Sequence, residues 1–145
     1  MNSKDIKFLR TALAIAEIWS KDPSSRVASI AVGDEPNMVA WGYNGIPPGL
    51  ADTHERLHDR ALKLSLTRHA EPNAISNATF PVRTLYSTHH PCDRCALDIL
   101  AARTIRRVVY LRQPAFEERW AAMCAEAAAR LAEAGVALEC VESVD

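Results

Sequence analysis

Four residues carry the types and spacing of a hydrolytic metal centre: His69, Glu71, Cys92 and Cys95. Cys92 and Cys95 form a Cys-x-x-Cys pair with Pro91 immediately before it. The pair falls where a helix is predicted to begin. Free amide donors and the helix dipole favour ionised sulfur there, and thiolate is the form that binds zinc. His69 adds a neutral nitrogen ligand. Three protein ligands leave the fourth tetrahedral position for water, which is the catalytic rather than the structural pattern. One catalytic zinc ion per chain is therefore expected. On an ideal helix Glu71 would point about 200° away from His69. At a helix's first turn, with the metal off its end, both side chains can reach around one ion. A carboxylate so placed can take a proton from water on the metal and later return it. Pro72 suits that first turn, where its missing donor costs nothing. A lone Cys-x-x-Cys would equally suit a redox dithiol or half of a structural zinc site. The His-x-Glu partner and the preceding proline favour the hydrolytic reading.

The elements that must position these groups are legible in the apolar rhythm. Ile6, Leu9, Leu13 and Ala16 recur at helical spacing, which predicts a helix over roughly residues 3–20. Asp22-Pro23-Ser24-Ser25 ends it. Val27 to Val32 and Met38 to Tyr43 read as two antiparallel strands around the turn cluster Gly33 to Asn37. Residues 50–67 are polar, with a helical stretch around Glu55 to Leu64. From His69 the pattern alternates. Helices are predicted at His69 to Asn77 and Asp93 to Ala102. Strands are predicted at Thr84 to Thr88, Ile105 to Leu111 and Val136 to Val141. Phe116, Trp120, Met123, Cys124, Ala127 and Leu131 fall on one face of a long helix, capped at Ala134-Gly135. This alternation implies an α/β fold with parallel strands and covering helices.

At 145 residues one domain over 1–145 is the expectation. A net charge of −1 and 6% aromatic residues leave little for binding nucleic-acid strands, although a local basic pocket for one phosphate is compatible with both. No apolar run reaches the roughly 20 residues that span a bilayer. Met1 to Trp19 is interrupted by Lys4, Asp5, Lys7, Arg10 and Glu17, so no secretory signal is expected there. A cytoplasmic location follows as an expectation, and with it free cysteines rather than disulfides. Cys124 and Cys140 are expected to be buried, as free cysteines commonly are.

His-x-Glu followed by Pro-Cys-x-x-Cys is the zinc-deaminase signature. His69-Ala70-Glu71 and Pro91-Cys92-Asp93-Arg94-Cys95 match it without a gap. The chain resembles the cytidine/deoxycytidylate deaminase superfamily, and within it the deoxycytidylate (dCMP) deaminases. Lys21-Asp22-Pro23-Ser24-Ser25-Arg26-Val27 resembles that group's Asp-Pro-Ser-Thr-Lys-Val opening. The loop from Gly42 to Gly49 resembles its Gly-Tyr-Asn-Gly-x-Pro-x-Gly, and His69 to Ile75 its His-Ala-Glu-x-Asn-Ala-Ile helix. The resemblance implies a three-layer α-β-α sandwich, a five-stranded mixed sheet with helices on both faces. It implies hydrolytic deamination of dCMP to dUMP and ammonia. Zinc-bound hydroxide attacks C4 of the base, and Glu71 shuttles the proton to N3 and then to the leaving amine. By the same analogy Asn44 bonds the deoxyribose and the Ala70 amide holds the base carbonyl. Arg26 is the first choice for the phosphate and Arg112 the second, because a guanidinium matches phosphate geometry. A homo-oligomer, dimer or hexamer, is implied as well.

The chain departs from that pattern in three places. Between the Asn44 loop and His69 it has only His54 and His58 and no cysteine, so no second, structural zinc is expected. His89 and His90 stand before Pro91 where related chains often have apolar or aromatic residues, which places His89 beside the base. Gln113-Pro114 stands where several relatives place a tyrosine. Other readings are a deaminase of another aminated substrate (a 5-substituted dCMP, CMP, a nucleoside or a guanine-type base), a non-enzymatic zinc module, and a nucleic-acid editor.

Overall fold

The run Ala28–Val32 is buried at every position, so this strand must be covered on both faces. Val39–Tyr43 instead alternates, with Val39 and Trp41 exposed and Ala40 and Gly42 buried, as an edge strand does. A computed structural model, which describes residues 2–145, shows both in one sheet. The elements in chain order are α1 (Ser3–Trp19), β1 (Ala28–Val32), β2 (Val39–Tyr43), α2 (His54–His58), α3 (Arg60–Leu66) and α4 (Ala70–Asn77). They continue with β3 (Thr84–Ser87), α5 (Asp93–Ala102), β4 (Arg107–Leu111), α6 (Pro114–Arg119), α7 (Ala121–Glu133) and β5 (Ala137–Val141). The strand order is β2-β1-β3-β4-β5. β1 runs antiparallel to both neighbours, while β3, β4 and β5 are parallel.

Helices cover both faces. Leu9, Ala12 and Ala16 of α1 pack on Ile30, Tyr86 and Val109. On the other face Ala74 of α4, Ile99 of α5 and Leu131 of α7 close over Ala31, Leu85 and Val108. The parallel half brings the N-termini of α4 and α5 to one end of the sheet. That is where open α/β sheets bind ligands.

Two features hold this frame. Gly42 of β2 lies opposite Ser29 of β1, which lies opposite Ser87 of β3, a row of small residues. A Cβ at Gly42 would meet the Ala74 amide nitrogen at 2.4 Å and the Asn73 carbonyl carbon at 2.7 Å. These are backbone atoms, so α4 sits this close to the sheet only because residue 42 has no side chain. Gly42→Ala is expected to destabilise the fold by about 3 kcal/mol, the upper range for overpacking. Chemical denaturation of the variant checks this, and an unchanged midpoint would contradict it.

The second feature joins α1 to the sheet. Asp5 is fully buried. It accepts two bonds from the Arg107 guanidinium, at 2.9 and 2.7 Å, and one from the Tyr86 hydroxyl at 2.8 Å. Arg107 above all holds the Asp5 carboxyl down from an ordinary 3.8 to about 2. A carboxyl depressed by folding contributes stability that is present above its unfolded value and lost as pH falls through its folded value. The window is therefore about pH 4 to 2 and the amount about 2 kcal/mol. Asp5→Asn should lower stability at neutral pH and flatten the loss across that window. Denaturation midpoints at several acid pH values measure both.

The structure corrects three expectations. The long helix through Phe116 and Leu131 is two helices, because Trp120 leaves helical geometry (φ −111°, ψ 31°). The stretch from Glu55 to Leu64 is likewise divided. Asp59 ends α2 and caps α3, its carboxylate accepting from the Leu62 amide at 3.0 Å. Cys124 is buried, but Cys140 is only half-buried, since β5 is an edge strand. Among the described residues no helix is long and apolar enough to cross a membrane.

Candidate active site

Two helix N-caps meet at the end of the sheet. His69 caps α4 with an extended backbone (φ −72°, ψ 158°) and makes no side-chain cap bond, which frees its imidazole. It therefore escapes the opposition to Glu71 that an ideal helix would impose. Cys92 caps α5, its sulfur accepting from the Cys95 amide at 3.4 Å. Nδ1 of His69 lies 3.2 Å from Sγ of Cys95 and 3.5 Å from Sγ of Cys92. All three ligand atoms lie within 4.8 Å of one another. Ligands at zinc bond lengths around a tetrahedral centre stand about 3.5–3.8 Å apart, so one ion fits this set.

The three ligand groups are electrostatically coupled to one another. The Cys92 thiol is held down to about 4, first by the Cys95 thiol that donates to it and also by His69. Cys95 is pushed up by that same hydrogen bond and by burial. The imidazole of His69 is pushed up by its bond to Cys92. Glu71, at the second helical position of α4, is 4% exposed, and burial raises its carboxyl. Its Oε1 accepts from Ser29 Oγ at 3.3 Å.

A cavity of about 690 Å³ opens over these groups, with His69, Ala70, Glu71 and Cys92 in its wall and Asn44 and His89 beside them. Ala70 is the first helical residue of α4, so its amide has no intrahelical acceptor. Asn44 is locked. Its Oδ1 accepts from Ser20 Oγ at 2.7 Å and the Val27 amide at 2.9 Å, and its Nδ2 donates to the Ser25 carbonyl at 2.8 Å. One amide hydrogen remains for a ligand. Burial lowers His89 to about 4, so its ring is neutral at pH 7. The ring sits edge-on to Phe116 at 5.0 Å and meets the Thr88 hydroxyl at 2.9 Å.

The two arginines assigned to a phosphate are elsewhere. Arg26 donates to the Glu17 carbonyl at 3.0 Å and pairs with the Glu17 carboxylate at 3.5 Å, so the end of α1 captures it. Arg112 is taken by Glu117 at 2.8 Å and Glu142 at 3.0 Å. Neither lines the cavity. The cations that do are Arg60, Lys63 and Arg119, which the sequence reading passed over. Lys63 is buried and committed to Asp22 at 3.0 Å and Ser24 at 2.6 Å. Arg60 and Arg119 form no ion pair with any described residue, and Arg119 stacks over Trp120 at 5.0 Å. Arg60, Lys63, Leu64 and Thr67 recur at helical spacing and all face the cavity, the one signal that could have marked them. Gln113 also faces it, tied to the Thr88 carbonyl at 3.0 Å.

Comparison with known proteins agrees with the geometry. A family model, the cytidine and deoxycytidylate deaminase zinc-binding region, matches residues 2–112. The chain is 37% identical over 102 residues to a deoxycytidylate deaminase of Mus musculus, covering 63% of this chain and 56% of that one. It is 33% identical over 114 residues to a probable deoxycytidylate deaminase of Caenorhabditis elegans, covering 74% and 57%. It is 34% identical over 99 residues to an uncharacterized deaminase of Aliivibrio fischeri, covering 65% and 66%. The match thus spans between 56% and 66% of these relatives' own lengths. With a family match over residues 2–112 and a His/Cys/Cys cluster able to hold a metal, the chain belongs to the cytidine and deoxycytidylate deaminase family.

Proposed function

We propose that this chain is a zinc-dependent hydrolase that deaminates dCMP to dUMP and ammonia. The observation that carries this reading is the cavity itself, which joins an open His/Cys/Cys cluster and a buried carboxylate to two unpaired guanidinium groups. His69, Cys92 and Cys95 hold the ion. A zinc ion there supplies Lewis acidity and a nucleophile at neutral pH. Glu71 carries protons. It takes one from the attacking water, delivers it to N3 of the base and then serves the departing amine. The Ala70 amide donates to the base carbonyl, and the free amide hydrogen of Asn44 meets the sugar. His89, neutral and wedged against Phe116, borders the base. The protein works in the cytoplasm as a dimer or hexamer on this reading.

Arg60 and Arg119, rather than Arg26 and Arg112, face the phosphate. Arg60→Ala should raise KM for dCMP about tenfold while leaving KM for deoxycytidine unchanged. Arg26→Ala should alter neither. Steady-state kinetics on the two substrates check this, and equal effects of Arg60→Ala on both would remove Arg60 from the phosphate.

The reaction is tested by ammonia release from dCMP, 5-methyl-dCMP, 5-hydroxymethyl-dCMP, CMP, deoxycytidine, dCTP and dGMP, with zinc measured on the same sample. Highest turnover on dCMP with about one zinc per chain supports the reading. Highest turnover on another member replaces the substrate, and zinc without turnover on any removes the activity.

A further inference from the structure

Ser29 is fully buried in β1, and its hydroxyl donates to Oε1 of Glu71 at 3.3 Å. The Cys95 thiol and Glu71's own amide also bear on that carboxylate, but no other described side-chain hydroxyl or amide bonds to it. Directly across the ladder stands Ser87 of β3, the Cα partner of Ser29. It is equally buried, yet its Oγ has no hydrogen-bond partner, the only such side-chain atom among the described residues. The two serines have the same composition, burial and sheet face. They differ in one respect, that only one touches Glu71. Gly42 completes the row and lets α4 descend until the Glu71 carboxylate reaches the β1 hydroxyl.

A carboxylate that must serve a nucleophile, a ring nitrogen and a leaving amine in turn needs one oxygen held and one free. A bond to Oε1 from a rigid central strand holds that oxygen and fixes the carboxylate's orientation. We propose that Ser29 is a positioning residue for the proton-carrying carboxylate of Glu71, acting through that hydrogen bond alone. This rests on the deaminase reading, and Ser87 supplies a matched control within the same protein.

Serine-to-alanine exchange removes one oxygen from either site. Ser29→Ala should lower kcat about tenfold, as expected for a lost bond to a charged group. KM for dCMP and zinc content should stay unchanged. Ser29→Thr, which restores the hydroxyl, should recover most of kcat. Ser87→Ala should leave kcat as it is and raise the melting temperature, because it removes a buried hydroxyl that bonds to nothing. A thermal double-mutant cycle gives a readout independent of turnover. Ser29→Ala and Glu71→Ala, each of which removes the bond, should be non-additive in melting temperature, whereas Ser87→Ala and Glu71→Ala should add. An unchanged kcat in Ser29→Ala, equal losses in the Ser29→Ala and Ser87→Ala variants, a loss of zinc in Ser29→Ala, or strict additivity of Ser29→Ala with Glu71→Ala each overturns the proposal. If the wild type deaminates none of the panel, the deaminase reading fails by itself and the thermal cycle still decides whether Ser29 holds Glu71.

Discussion

Replacing Glu71 by glutamine is expected to cut turnover about a thousandfold while leaving the metal in place. The magnitude is that of a positioned general acid–base group. The separation of the two effects follows from the geometry. The cluster able to hold a metal consists of His69, Cys92 and Cys95 without Glu71. A glutamine keeps the volume and the hydrogen bond from Ser29 but cannot accept and release a proton. It should also be tolerated structurally, because an amide at this 4% exposed position avoids burying a charge. Burial already pushes the native carboxyl up, toward its neutral form. The checks are kcat on dCMP, zinc by elemental analysis and the melting temperature of one preparation. Wild-type turnover in this variant would end the assignment of Glu71 as proton carrier. Lost zinc would make it a ligand instead.

The second large effect is expected from Cys95→Ser. Cys95 is 1% exposed and lies in the first turn of α5, whose Ala96 and Ile99 belong to the core. A metal held by Cys92, Cys95 and His69 would tie α5 to the start of α4, so metal binding and folding are coupled. At a free zinc concentration about a thousand times the dissociation constant, binding adds about 4 kcal/mol to stability. In a chain of this size that is on the order of 10 °C in melting temperature. Cys95→Ser should therefore lose zinc and melt about 10 °C lower than the wild type. Wild type stripped with a chelator should fall to a similar temperature, and added zinc should restore only the wild type. A melting temperature indifferent to chelator would show that the fold stands without the metal.

Much of this protein is written in short-range pattern. α5 occupies Asp93–Ala102 as its apolar spacing predicts, and α1, β1, β2, β3, β4 and β5 match their predicted spans to within a residue or two at each end. Helical and extended backbones present side chains at fixed periods, so the core faces show directly in the chain. The cluster able to hold a metal is legible for a related reason. His-x-Glu and Cys-x-x-Cys each work within a single helical turn, so local spacing and residue type suffice to suggest a shared metal.

What the sequence left undecided depends on groups far apart in the chain. Arg26 has the right chemistry for a phosphate and stands in the right motif, yet the carbonyl and carboxylate of Glu17 draw it onto α1. Arg112 is lost in the same way to Glu117 and Glu142. Arg60 opens α3 just after the break at Asp59, Arg119 ends α6 just before the break at Trp120, and both line the cavity. Ser29 reads as one more small residue in a buried strand until Gly42 lets α4 settle against the sheet. The sequence by itself determined most of the elements and their core faces, because these follow from residues within a turn or a strand of one another, and its two short motifs marked the His/Cys/Cys cluster able to hold a metal. The tertiary structure decided which cations line the cavity and which hydroxyl meets Glu71. A long side chain's direction is set by the partner that captures it, and that partner is chosen by packing rather than by spacing.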